Sequence, residues 1–245
     1  MSTRKKLGLL LWGAGMTGVV SVSVLVLPML LETLPKMIGR DLPPLPVPMW
    51  VLVLASIFQS GIYLALATWA GIALSPAVGL RAPVFEAIVA REPIRFQLLP
   101  GVIAGIIGGA VLIACGRLAP SAVQAVQSRI AMPLAARVLY GGITEEVLLR
   151  WGFMTLVAWL AWRFARRTPA WMWVAIVVSA LVFAAGHLPG AFILVGPLTA
   201  TIVAYVLVVN TIFGIAFGWL YWRYGLETAI VAHALTHVVS YLVSG

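Results

Sequence analysis

Apolar residues run through this chain in seven long stretches, roughly 7–31, 49–80, 97–116, 133–164, 170–187, 192–222 and 226–243, with charge gathered between them. Each is close to or above the roughly 20 residues that an α-helix needs to cross a hydrocarbon core of about 30 Å. The pattern predicts an all-α fold, a polytopic transmembrane helical bundle of about seven spans. The first stretch follows Arg4, Lys5 and Lys6 and is longer than the roughly 7–15 apolar residues of a signal peptide, so it reads as an uncleaved span.

Local signals shape several spans. The proline run Pro43-Pro44-Leu45-Pro46-Val47-Pro48 excludes helix before the second. In the third, Gly101, Gly105 and Gly109 recur at every fourth position and predict close approach to another helix. Residues 117–132, with Gln124, Gln127 and Arg129, read as an amphipathic or loop connection. The fourth stretch, as straight helix, would measure about 48 Å, so it must tilt or break, and Gly152 is the expected place. Arg163, Arg166 and Arg167 close it and Pro169 restarts the chain. Pro189 is expected to end the fifth span just after His187. In the sixth, Asn210, Gly214 and Gly218 read as a packing face, and Arg137 as a side chain snorkelling to an interface.

Composition agrees with a membrane protein: 62% of residues are hydrophobic and 9% charged, against about 25% charged in soluble domains. The net charge of +9 sits at the ends of apolar runs instead of forming a stripe with interleaved aromatics. That excludes nucleic acid as a partner and leaves the lipid bilayer. With a cytoplasmic N-terminus, seven spans bring Arg4–Lys6, Arg81–Arg95, Arg163–Arg167 and Arg223 to the cytoplasmic side, as expected for a bacterial inner-membrane protein. The single cysteine, Cys115, excludes an internal disulfide. Two regions are expected: 1–130, three spans and the amphipathic connection, and 131–245, a helical core carrying the chemistry.

The candidate chemistry starts at Gly141-Gly-Ile-Thr-Glu-Glu-Val-Leu-Leu-Arg150, which sets two acids and a guanidinium into an apolar run. A charged group at the centre of a membrane helix costs roughly 2.5–3.5 kcal/mol on insertion scales, so such groups are paired or functional. Glu146 and Arg150 stand at i and i+4, the favourable order for an ion pair, whereas Glu145 is turned by about 100° to a neighbouring face. Glu145 is therefore the candidate reactive group, and Arg150 with Glu146 its support. Gly141 and Gly142 allow a second helix to approach that carboxylate. All three histidines lie in the last three spans: His187 in the final turn of its helix, and His233 and His237 on one helix face.

Glu145-Glu146-x-x-x-Arg150, Phe183-x-x-x-His187 and His233-x-x-x-His237 resemble the three motifs of the CPBP intramembrane protease family, which includes the type II CAAX prenyl endopeptidases and the Abi proteins. The resemblance covers about residues 130–245. It implies a membrane-embedded endopeptidase acting on a membrane-associated peptide or protein substrate, with Glu145, Glu146, His187, His233 and His237 as catalytic residues. Two positions depart from the family pattern. Trp151 separates Arg150 from Gly152, and His237 stands where the last motif often has Asn.

From the residues, Glu145 is expected to take a proton from water attacking an amide carbonyl. His233 and His237 donate to the oxyanion, and His187 holds the water or protonates the leaving amine. The rival chemistry has His187 and His233 holding Zn²⁺, although no His-Glu-x-x-His stretch is present. Other functions to weigh are an Abi-like immunity or scaffold protein without turnover, a proton or ion transporter, and a haem protein. A transporter favours repeated halves with broken helices, and no such symmetry is visible.

Overall fold

The computed structural model describes residues 1–38, 46–164 and 170–244. Among them are seven helices long and apolar enough to cross a membrane: Thr3–Pro35, Met49–Val78, Leu98–Arg117, Leu134–Phe164, Ala170–Val195, Ala200–Tyr224 and Leu226–Val243. No strand occurs among the described residues. The chain is a multi-pass membrane protein, and its exposed large apolar side chains, Phe58, Trp69 and Leu99 among them, fit a surface solvated by lipid tails.

Where apolar side chains gain nothing by leaving lipid, helices hold together through close backbone approach and internal hydrogen bonds. Both are present. The third span lies against the seventh along the expected stripe: a Cβ on Gly105 would stand 2.5 Å from Leu235 Cβ, and one on Gly109 2.5 Å from Val239 Cβ. Gly108, pressed on Thr236 Oγ1, extends that contact. Gly18 of the first span abuts Leu139 O and Thr144 Oγ1 of the fourth, and Thr144 Oγ1 donates to Gly15 O at 2.6 Å. The second span meets the fourth where Gly71 faces the Trp151 indole, whose Nε1 donates to Thr68 O at 3.3 Å. Gly214 and Gly218 bring the sixth span onto Ala180 and Ile176 of the fifth. Spans from both sides of residue 130 thus build one bundle around the fourth and seventh.

The fourth span corrects one expectation. Gly152 does not break it; the helix continues to Phe164, and Gly152 is the point where Ala67 Cβ would lie 2.5 Å from an added Cβ. What departs from α geometry is the winding. Arg137–Thr144 and Glu146–Met154 are π-helical, with the i→i+5 pattern that is rare and found mostly at functional sites. Side-chain hydroxyls from this span and its neighbours support these wide turns. Ser179 Oγ donates to Leu149 O at 3.1 Å, and Thr155 Oγ1 donates to Arg150 O while accepting from Tyr221 Oη at 2.9 Å.

The fifth and sixth spans also differ from expectation. Pro189 does not end helical structure after Ala170–Gly186. It lies in the first turn of a second helix, Leu188–Val195, where a missing N–H costs nothing. The sixth helix therefore starts at Ala200, not near residue 192. In the 117–132 connection a short helix, Ser121–Gln127, forms. The sixth and seventh helices join through Gly225 alone, at φ 100°, with the Pro83 ring 2.5 Å from where a Cβ would stand. Pro46, Val47 and Pro48 are non-helical as expected, whereas Pro43, Pro44, Leu45, Arg166, Arg167 and Pro169 lie outside the described residues.

Candidate active site

The fourth helix carries Glu145 and Glu146 on adjoining faces, and the tertiary structure treats them differently. Glu146 is fully buried. Its Oε2 lies 3.2 Å from Nε of Arg150, itself only 1% exposed, so the expected ion pair is present inside the bundle. Arg150 is held on several sides: Nη2 donates to Gly214 O at 3.4 Å, and the guanidinium lies 4.7 Å from the centre of the Phe183 ring and 5.7 Å from that of Phe217. A cation stacked on aromatic faces in a desolvated setting gains about 2 kcal/mol or more. The pair therefore has a fixed position, with the Glu146 carboxylate held against the guanidinium.

That carboxylate orients a histidine on the seventh helix. His233 Nδ1 lies 2.8 Å from Oε1 of Glu146. With Glu146 paired to Arg150 as a carboxylate, the tautomer that satisfies this contact carries its proton on Nδ1 and donates it. The other nitrogen, Nε2, is then an acceptor in the neutral ring, and it lies 4.0 Å from Oε2 of Glu145. Phe217 stacks on the imidazole at 4.5 Å and His237 at 5.0 Å, which fixes its plane.

The remaining groups come from the same two helices and from the fifth. His187 follows the last turn of Ala170–Gly186, and its Nδ1 donates to Phe183 O at 2.8 Å, which again leaves Nε2 as an acceptor. Gly141 and Gly142 admit the seventh helix as expected: a Cβ on Gly141 would stand 2.7 Å from His237 Nε2, and one on Gly142 2.8 Å from Ala234 Cβ. Among the described residues no hydrogen bond commits either nitrogen of His237.

Glu145, His187, His233 and His237 all line one cavity of about 760 Å³, within the range of small-molecule and cofactor sites. Glu146 and Arg150 lie behind that wall. Much of the remaining surface is apolar, from residues such as Leu112, Ile113, Val209 and Phe213. Three lining residues have a different setting from the one their positions suggested. Asn210 faces the cavity while its Nδ2 donates to Val206 O at 2.8 Å, so it is not solely a packing residue. Arg137 also lines the cavity, 5.5 Å over the Tyr241 ring, instead of only snorkelling. Tyr140 completes that side. A polar residue inside an apolar span is itself a functional signal, and it could have marked Asn210.

A resident zinc would need three or more converging donors. With the Nδ1 atoms of His187 and His233 already donating, only their Nε2 atoms, His237 and Glu145 remain. Among the described residues no three His, Cys, Asp or Glu side chains converge to hold a metal ion. As arranged, this donor set does not fit one.

Fold and site together define a class: a helical membrane protein with an acid and three histidines enclosed inside its bundle. Residues 127–239 match the family model described as type II CAAX prenyl endopeptidase Rce1-like, which supports the resemblance to the CPBP family over that part of the chain. No curated protein and no solved structure matches the chain.

Proposed function

We propose that this protein is an intramembrane endopeptidase of the glutamate type, in which Glu145 activates water against a peptide bond bound in the cavity. The observation that carries the reading is the convergence of Glu145, His187, His233 and His237 from three helices on one cavity, with the His233 imidazole set between two carboxylates.

In this mechanism Glu145 takes a proton from water as the water oxygen bonds to the scissile carbonyl carbon, and the carbonyl electron pair moves onto its oxygen. His187, accepting at Nε2, holds the second water proton and aims the nucleophile. The oxyanion needs an N–H donor. In this reading His233 keeps its proton on the Glu146 side and does not supply one from Nε2. His237 is the donor instead. The proton on Glu145 then passes to His233 Nε2, and the ionised Glu146 compensates the imidazolium, the role an acid plays behind a catalytic histidine in serine hydrolases. His233 delivers that proton to the leaving nitrogen as the C–N bond breaks, giving a carboxylate fragment and an amine fragment. Glu146 and Arg150 touch no substrate and act as positioning residues.

The cavity suits a membrane-associated peptide with apolar side chains around the cleaved bond. The test is to express the wild-type chain and Glu145→Gln and to compare membrane peptides by mass spectrometry. Peptides that accumulate uncut in the variant support the reading; identical peptide profiles, with both chains present in the membrane, refute it.

A further inference from the structure

We infer that the cavity opens on the non-cytoplasmic side of the membrane, so that the peptide segments it receives are presented at that face. The substrate half of this inference rests on the peptidase reading; the orientation half does not.

The bundle has two unlike ends. At one end Arg4, Ser75 and Arg81 line a common crevice, Leu226 N donates to Arg81 O at 3.0 Å, and Glu227 Oε1 accepts from Phe85 N at 2.9 Å. These contacts bring together the start of the first span, the end of the second and the junction of the sixth and seventh. Arg4, Lys5, Lys6, Arg81, Arg91, Arg95, Arg163 and Arg223 all belong to segments that meet the membrane at this end. The opposite end carries Arg117, Arg129 and Arg137 among residues whose side chains are described. An excess of Lys and Arg in short loops marks the cytoplasmic side.

The cavity belongs to the opposite end. Its walls come from the last turns of the third span, at Leu112 and Gly116, the first turns of the fourth, at Arg137 and Tyr140, and the last turns of the seventh, at His237 and Ser240. Its rim includes Arg117, Gln124 and Gln127, all exposed, from the segment that joins the third and fourth spans. Towards the basic end it is closed: Trp151, Phe217 and Tyr221 are buried across the bundle, and Thr155 is bonded to Tyr221. Glu145 lies 11 residues along its helix from Leu134 and 19 from Phe164, by subtraction of their numbers. The reactive acid is therefore nearer the rim than the basic end.

The test uses a chain with Cys115→Ala, which removes the only native thiol, and adds either Gln127→Cys at the rim or Glu92→Cys in the loop at the basic end. Spheroplasts of a bacterial host are treated with a membrane-impermeant maleimide before and after permeabilisation. The expected result is Gln127→Cys labelled in intact spheroplasts and Glu92→Cys labelled only after permeabilisation. The reverse pattern overturns the inference, and so does a Gln127→Cys thiol that stays unreactive after permeabilisation, since the rim is then not open to water. None of these outcomes depends on catalysis. A second arm reads the substrate: labelling Gln127→Cys from outside with a bulky maleimide is expected to cause loss of peptide processing by an otherwise active variant. Unchanged processing by a fully labelled chain would show that substrate enters elsewhere.

Discussion

His233 and Glu146 are joined by a 2.8 Å contact from Nδ1 to Oε1, inside the bundle and across two helices that are 87 residues apart in sequence. The bond decides which nitrogen of the imidazole carries the proton, and so what the ring can do toward Glu145 on its other side. Arg150 is the reason Glu146 can hold that role, since its guanidinium stands 3.2 Å from the other oxygen of the same carboxyl group. The family resemblance directs attention to these residues; the contacts divide the work between them.

The division predicts separate effects for the two acids. Glu145→Gln is expected to leave folding unchanged and to lower processing by about 10²–10⁴-fold, the usual contribution of a positioned general base. Glu146→Gln is expected to weaken the bundle as well, because Arg150 is left buried and unpaired. Losing one partner of a buried pair costs about 3–5 kcal/mol. Thermal unfolding in detergent, measured on both variants, separates the cases: only Glu146→Gln should unfold at a clearly lower temperature. Replacing both partners, as Glu146→Gln with Arg150→Met, should recover part of that loss.

His237 stands where the family pattern often has Asn, and the two side chains share the ability to donate an N–H. If His237 donates to the oxyanion, His237→Asn retains most activity, whereas His237→Ala loses about 10²–10³-fold, the effect of removing one such donor elsewhere. Steady-state cleavage of one peptide by the three chains checks this. Equal loss in the Asn and Ala variants would remove His237 from the oxyanion site.

Much of the bundle was legible because a membrane leaves few solutions. Span number follows from apolar length, the Gly101-Gly105-Gly109 stripe from the need for close approach, and the Glu146–Arg150 pair from i,i+4 spacing. The π winding on either side of Glu145 was not legible. It depends on hydroxyl and backbone partners supplied by other spans, such as Ser179 and Tyr221, and has no period of its own in the sequence. Pro189 misled because proline ends one helix and begins another equally well, and only the continuing chain decides. Asn210 was taken for a packing residue because its glycine neighbours do pack; its own side faces the cavity, and that turn of the helix is set by the fifth span.

The glycine stripe gives a stability prediction independent of chemistry. Gly105→Leu drives a side chain into Leu235 and Ala232 of the seventh helix, and overpacking of that kind costs about 1–3 kcal/mol. Gly13→Leu, with no neighbour within 4 Å, is the matched control. Detergent unfolding should show a lowered midpoint for the first and no change for the second. Because the seventh helix, which carries His233 and His237, packs on this stripe, processing should fall with Gly105→Leu as well.

The donor set gives a further prediction. Since no three His, Cys, Asp or Glu side chains among the described residues converge to hold a metal ion, cleavage by purified protein should persist after prolonged treatment with a strong zinc chelator. Loss of cleavage on chelation, with recovery on adding Zn²⁺, would contradict the glutamate-type mechanism.

The most direct measurement is cleavage of a membrane peptide by purified wild-type protein and Glu145→Gln in lipid vesicles, run in water enriched in ¹⁸O. The account predicts one ¹⁸O atom in the new carboxylate formed by the wild type and product from the variant slower by about 10²–10⁴-fold. Product from Glu145→Gln at the wild-type rate would contradict it.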